Sequence, residues 1–351
     1  MTSSNPLRAA RRDELSYPFS DPPVPGEAAE IADGVLWVRM PLPFALDHIN
    51  VWLLEDEAGW TIVDTGIGGG RTRALWERLF AGAMKGNPVT RVVATHFHPD
   101  HVGLAGWLAE RWQAPLFASL TEWLFGRVLC MEASAGSRTQ AEAFYRAAGL
   151  DADLAHALTS RGNGYAQAVT SLPASISRLK QGDGLVVGNR RWEVLIGRGH
   201  TPEHVCLHDR SGGVLIAGDQ ILPHISPNVS VWPSEPAADP LADFLDSLDA
   251  LSALPADTLV LPSHGLPFRG VHARAAALRR HHEERLAGAL AACAEPRTVS
   301  EVMRTMFARE MDNHQMMFAV GEALAHLNRL VEAGLLRRRP HADGAWRYLA
   351  V

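Results

Sequence analysis

The segment Thr95-His-Phe-His-Pro-Asp-His-Val-Gly103 places four metal-ligating side chains, His96, His98, Asp100 and His101, within six residues. His96 and His98 are two apart in what reads as extended chain, so their imidazoles leave on one side. Asp100 and His101 follow where the chain turns into a helix. Imidazole nitrogen and carboxylate oxygen suit zinc and related divalent ions. Four such groups exceed what one tetrahedral ion with an open position needs, which points to two adjacent ions. Three further candidates end later apolar runs, each in a Gly/Pro turn. They are His200 in Gly197-Arg-Gly-His-Thr-Pro202, Asp219 in Ile216-Ala-Gly-Asp219, and His264 in Leu261-Pro-Ser-His-Gly265. Each alone reads as a turn residue. Their recurrence at strand ends, together with the first cluster, reads as one ligand set.

The elements that would carry these groups follow from hydrophobic periodicity. Runs rich in Val, Ile, Leu and Trp at 34–40, 48–55 and 59–64 read as successive strands, the last two joined by a hairpin at Glu55–Gly59. A helix is expected over 71–86. A strand at 89–95 then delivers the histidine cluster, followed by a helix at 101–112, a short strand at 114–118 and a helix at 119–131. Residues 136–170 are Ala-rich and helical. Strands resume at 184–188, 191–197, 203–209 and 212–218, with another at 258–262 after a helix at 238–253; a long helix covers 269–294. That order predicts sheets inside and helices outside. Residues 296–351 read helix, helix and a hairpin turned at Ala342-Asp-Gly344, the outline of a winged helix.

Of the 351 residues 47% are hydrophobic and 21% charged, and no apolar run approaches the 18 or so that a membrane-spanning helix requires. With 33 Lys+Arg against 39 Asp+Glu the net charge is -6, which argues against a dedicated binder of nucleic-acid backbone. Cys130, Cys206 and Cys293 form neither a CxxC pair nor a disulfide framework, and no apolar stretch follows the basic residues of the N-terminus. A cytoplasmic protein is expected, with residues 1–30 as a poorly ordered arm and no membrane partner.

As a set, these motifs resemble the metallo-β-lactamase-fold hydrolase superfamily. Its five motifs read here as Asp64, the 96–101 cluster, His200, Asp219 and His264, in the family's order, over roughly residues 33–270. The resemblance implies an α/β fold, an αββα sandwich over 31–295, with the helical insertion at 136–170 and a small winged-helix-like domain over 296–351. It implies one metal held by His96, His98 and His200 and a second by Asp100, His101 and His264, with Asp219 bridging. The expected cofactors are two divalent ions, zinc first, with iron or manganese as alternatives. Asp64 would orient the histidine loop, in keeping with the rule that metal ligands are fixed by outer hydrogen bonds. His204 is expected beside the ligands rather than on a metal.

Asp219 stands where β-lactamases of this fold have Cys or Ser nearby. In that respect the chain is similar to glyoxalase-II-like thioesterases, lactonases and ribonucleases. Gly-His-Thr-Pro-Glu-His also resembles the glyoxalase-II pattern, with Glu203 where that pattern often has Gly. The chemistry expected is a metal-bound hydroxide attacking an ester-type carbonyl, with one metal stabilising the oxyanion. Asp219 would position the hydroxide, and Asp100 would pass a proton to the leaving group. A small-molecule thioester or ester is the preferred substrate. A lactonase, an endonuclease for single-stranded RNA and an inactive scaffold used for interaction are the alternatives.

Substrate choice is assigned to the insertion, whose small or apolar side chains include Phe144, Tyr145, Leu150, Leu154, Leu158 and Tyr165; ordinary packing within a helix pair explains the same residues. His48, Asn228 and Tyr165 are candidates for the site wall. The C-terminal tail resembles that of β-lactamase-like endoribonucleases in the run Glu322–Leu330. Its eight arginines and six acidic residues leave a net charge of only +2, which favours packing or homodimerisation over nucleic-acid binding. His281 and His282 read as a solvated helix face, and His326 has no evident partner.

Overall fold

The computed structural model describes residues 15–351 other than 133, 161, 162 and 309. The first half of the chain builds one sheet. Strands β1 (Ala28–Ala32), β2 (Val35–Pro41), β3 (His48–Asp56) and β4 (Gly59–Val63) run antiparallel in succession. Helix α1 (Gly70–Ala81) then crosses to β5 (Val89–Val93), which lies parallel to β4. Helices α2 (Pro99–Val102) and α3 (Ala105–Trp112) lead to β6 (Leu116–Ala118). Helices α4 (Leu120–Met131), α5 (Ala135–Ala147), α6 (Ala152–Thr159) and α7 (Gly164–Ala168) separate it from the short β7 (Ser177–Arg178). Among the described residues the order is β1-β2-β3-β4-β5-β6-β7.

The second sheet, β12-β11-β10-β9-β8, comes from β8 (Gly184–Val187), β9 (Arg190–Gly197), β10 (His204–Asp209) and β11 (Val214–Gly218). After α8 (Pro240–Ser252), β12 (Leu259–Pro262) completes it parallel to β11. The C-terminal elements are α9 (Val271–Ala292), α10 (Val299–Met306), α11 (Asn313–Glu332) and the hairpin β13 (Leu336–Pro340) and β14 (Trp346–Ala350).

Strand periodicity explains the layers. Side chains alternate across a strand, so a strand apolar at every position must be covered on both faces. In β3, Trp52 and Leu54 face the second sheet, while Ile49, Val51 and Leu53 face α1 and α3. In β11, Val214 and Ile216 face the first sheet, while Leu215 and Ala217 pack with Phe244 and Leu248 of α8. Trp37, Trp52 and Trp192 fill the space between the sheets and are fully buried. The result is an αββα sandwich.

The structure corrects several sequence expectations. Residues 1–14 of the expected arm lie outside the described residues, but the rest of it belongs to the fold. Leu15 is buried in the cluster that holds Phe268, the Ser16 and Arg269 backbones exchange hydrogen bonds (3.2 and 2.9 Å), and β1 is a paired strand. The helix expected over 101–112 is divided at Gly103 and Leu104, where Leu104 leaves helical geometry (φ -111°, ψ 11°); a Cβ at Gly103 would stand 2.5 Å from Gly66 O. Within the insertion, Phe144, Tyr145, Leu150 and Leu158 are buried in one core with α10, α11 and Tyr348 of β14. They are core residues, as the packing explanation has it, but the core they join includes the C-terminal elements as well as the helix pair. No helix among the described residues is long and apolar enough to cross a membrane.

Candidate metal centre

The ligand candidates meet at one rim of the sandwich, because five strands reach it in the same sense. The parallel pair β4 and β5 ends there with Asp64 and the 96–101 loop; the parallel pair β11 and β12 ends there with Asp219 and His264; β9 leads to His200. Two bonds at the rim tie the sheets together, Val205 N–H donating to Thr95 O (2.8 Å) and Asn50 N–H to Ser263 O (2.7 Å), while Ser263 N–H donates to Gly218 O (3.0 Å) within the second sheet.

Seven side chains form two donor sets, His96, His98, His200 and Asp219 in one and Asp100, His101 and His264 in the other; within each the donor atoms lie within 4.8 Å of one another. A tetrahedral ion with bonds of about 2.0–2.1 Å spaces its ligand atoms roughly 3.3–3.4 Å apart. In the first set His96 Nε2 lies 2.9 Å from His98 Nδ1 and 3.3 Å from His200 Nε2, and His200 Nε2 lies 3.5 Å from Asp219 Oδ2. In the second, Asp100 Oδ2 is 3.7 Å from His101 Nε2 and 3.5 Å from His264 Nε2. Asp219 faces both sets: its Oδ2 is 3.7 Å from His101 Nε2 and its Oδ1 is 3.4 Å from His264 Nε2. His101 Nε2 and Asp219 Oδ1 are buried without a hydrogen-bond partner. Orphaned buried polar atoms are costly unless something binds them. This donor set fits divalent metal ions.

Electrostatics divides the site. Burial, reinforced by neighbouring imidazoles, holds His96 and His98 well below the usual histidine range, and burial lowers His200 against the pull of Asp219. These rings are neutral, the form that ligates. At His101 and His264 burial also disfavours the charged ring, but nearby carboxylates outweigh it and raise both. Burial would raise Asp219, yet His264 and His101 hold it well below the carboxylate range.

An outer layer of hydrogen bonds fixes each ring. Asp64 has φ +63°, a left-handed conformation that Asp tolerates better than most residues. Its carboxylate accepts from Thr95 N–H and Thr95 Oγ (2.8 Å each) and pairs with His101 Nδ1 at 2.7 Å. His204 Nε2 accepts from Asp219 N–H (3.1 Å), and its ring stacks 4.8 Å from that of His96. His264 Nδ1 donates to His48 O (2.7 Å) and His200 Nδ1 to Asn228 O (2.8 Å), leaving each Nε2 for the site.

The three residues expected on the site wall hold ligand loops. His48 Nε2 accepts from Gly265 N–H, its Nδ1 pairs with Asp47, and its carbonyl holds His264. Tyr165 Oη donates to Phe97 O (2.5 Å), between two ligands. Asn228 serves through its carbonyl, while its side chain bonds Ser230.

Two positioning residues escaped the sequence reading. Buried Asn50 donates to Pro262 O and Gly265 O (2.9 Å each), fixing the turn that carries His264. Buried Glu122, at the start of α4, accepts from Phe97 N–H (3.1 Å) and Glu203 N–H (2.7 Å), and so joins the two histidine loops. Burial pushes its carboxyl up to about 7. The one signal available for Glu122 was an acidic residue within a mostly apolar helix.

Comparison with known proteins bears on this site. The metallo-beta-lactamase superfamily profile matches residues 45–264, and a second, for the metallo-beta-lactamase-like C-terminal domain, matches 286–351. The chain is 30% identical over 250 residues, 69% of its length and 74% of the other's, to a probable metallo-hydrolase of Bacillus subtilis, YqjP. It is 25% identical over 200 residues to the human acyl-coenzyme A thioesterase MBLAC2, covering 54% of this chain and 64% of that one. Among solved structures, a beta-lactamase domain protein from Burkholderia ambifaria shares 47% identity, with a TM-score of 0.92 over 97% of this chain and 100% of the other.

Proposed function

Because the chain belongs to the metallo-beta-lactamase superfamily, we propose that it is a hydrolase that uses two divalent ions, zinc in the first instance, to cleave a small-molecule thioester or ester. One observation carries this reading: seven donors fall into two sets of ligand spacing that share Asp219. Divalent ions there would supply Lewis acidity, making a water acidic near neutral pH and polarising the carbonyl under attack.

The chain's own part is orientation and charge. Asn228 O and His48 O fix which nitrogen His200 and His264 present, and Asp64 does the same for His101. Asp219 sits between the sets as a buried carboxylate that offsets positive charge. The Asp100 side chain is 18% exposed, more open than Asp219 at 9%, so it is the carboxylate placed to take a proton from the attacking water and pass it to a departing group.

Three features support the thioester: Asp219 at its position, the Gly-His-Thr-Pro run, and the likeness to proteins named acyl-coenzyme A thioesterases. RNA cleavage is the second reading, favoured by Arg337, Arg338 and Arg339, all exposed on β13. A panel of acyl-CoA and glutathione thioesters, a lactone, a cephalosporin and single-stranded RNA separates the two. Thioester turnover that is lost with chelator is the expected result. Salt-sensitive RNA turnover without thioester turnover reverses the order.

A further inference from the structure

The segment from Asp219 to α8 contains no helix or strand, so tethers must set its path. Up to Ser226 the tethers include Arg274 and His282 of α9, which bond Leu222 O, Ile225 O and Ser226 Oγ; from Ser230 onward they come from α11. Val231 N–H donates to Gly321 O (3.1 Å), Asn328 Nδ2 to Pro236 O (3.2 Å) and Ala238 O (2.8 Å), and Arg329 pairs with Asp239 (3.4 Å). Ser230 Oγ donates to Asn228 Oδ1 (2.6 Å) and lies 3.3 Å from Phe318 O. Loop and helix are in direct contact at Gly321, where a Cβ would stand 2.8 Å from Ser230 Cβ and Oγ and 2.9 Å from Val231 O. Two residues before Ser230, the Asn228 carbonyl receives His200 Nδ1–H.

We propose that α11 is a positioning element of the metal centre: Gly321 and Ser230 set the place of the Asn228 carbonyl, and through it the orientation of His200. The inference rests on the preceding reading, in which His200 is a metal ligand. An imidazole ligand is aimed by the partner of its other nitrogen, and loss of such a partner typically costs about 10–100-fold in metal affinity. Here the partner is a backbone oxygen, so no substitution at position 228 removes it. It moves only if the loop moves, and α11 holds the loop on the side that follows Asn228.

The competing account is that α11 simply packs against the sandwich. Zinc affinity of the full-length protein, measured by chelator competition, distinguishes the two. Gly321→Ala is expected to weaken zinc binding by about tenfold or more. Ser230→Ala, which deletes only a hydroxyl, is expected to weaken it several-fold, and it carries the test if Gly321→Ala does not fold. Val302→Ala is the control: Val302 is fully buried in the core shared with α11 and makes none of these bonds, so it should lower Tm and leave zinc affinity unchanged. Wild-type affinity in the folded Gly321 and Ser230 variants overturns the inference, as does equal weakening in Val302→Ala. Absence of zinc binding by the wild type overturns the metal-centre reading itself, and the inference with it.

Discussion

At the scale of single residues the two donor sets depend most on Asp219. Asp219→Asn keeps the size and removes the charge that faces His101 and His264. We expect weaker binding of at least one ion and a fall in kcat of more than about 100-fold, beyond the range for outer-layer partners. Unchanged metal content and turnover would make Asp219 a turn residue. Glu122 offers a second test, on stability. Glu122→Gln replaces one acceptor by a donor facing a buried N–H, which should cost about 1–3 kcal/mol in urea unfolding of the metal-free protein. The seven ligand candidates were legible because their residue types are uncommon at strand ends and recur there. Asn50 and Glu122 were not, because a lone polar residue in a strand or helix looks the same whether it faces water or clamps a turn far away in the chain.

Among the elements, contact between α9 and α11 has a pH dependence that can be measured. His282 on α9, read as solvated, is fully buried: its Nδ1 lies 3.2 Å from His326 Nε2, its Nε2 3.4 Å from Ser226 Oγ, and its ring is edge-on to Phe244. Burial lowers His282 to about 2 and His326 to about 4. With folded values below the unfolded 6.5, the unfolded chain binds more protons in this window. Stability is therefore full above about pH 6.5 and falls on acidification, by up to about 1.4 kcal/mol per pH unit for each proton. Glu322, raised to about 7 by burial, slopes the other way, and His281 and Arg285 also face the pair. The measurable quantity is thus a difference: between pH 4.5 and 6, His326→Gln should lose part of the wild-type slope. An unchanged slope would remove the pair from the account. Most of the strand and helix order was legible from short apolar runs bounded by turn residues, but β1 and the two-residue β7 were not. Which helix face meets which was not, as Phe144 and His282 show, because burial by a distant element leaves no local mark.

For the whole molecule, the metal centre spans both sheets. Each donor set takes residues from the β5 loop and from the second sheet, so bound ions join the halves as the rim hydrogen bonds do. Metal removal should then lower the stability of the entire sandwich. With free zinc at about 100 times Kd the loss is about 2.7 kcal/mol, seen as a Tm that rises with zinc concentration. A Tm indifferent to zinc, at a stoichiometry showing it bound, would mean that the unfolded chain holds zinc as well as the folded one and that no assembled site is needed. The layer architecture was legible, but the bonding of the C-terminal elements to the loop after Asp219 was not, because it runs through backbone carbonyls that any sequence supplies.

That same division of donors sets an order of events during synthesis. A chain leaving the ribosome presents His96 first, and at about 5–20 residues per second His264 follows roughly 10–30 s later. Until then the nascent protein carries a cluster of histidines able to catch a stray ion but not to enclose it. The helix that steadies Asn228 emerges later still. Loading of both donor sets thereby waits until the second sheet has been made.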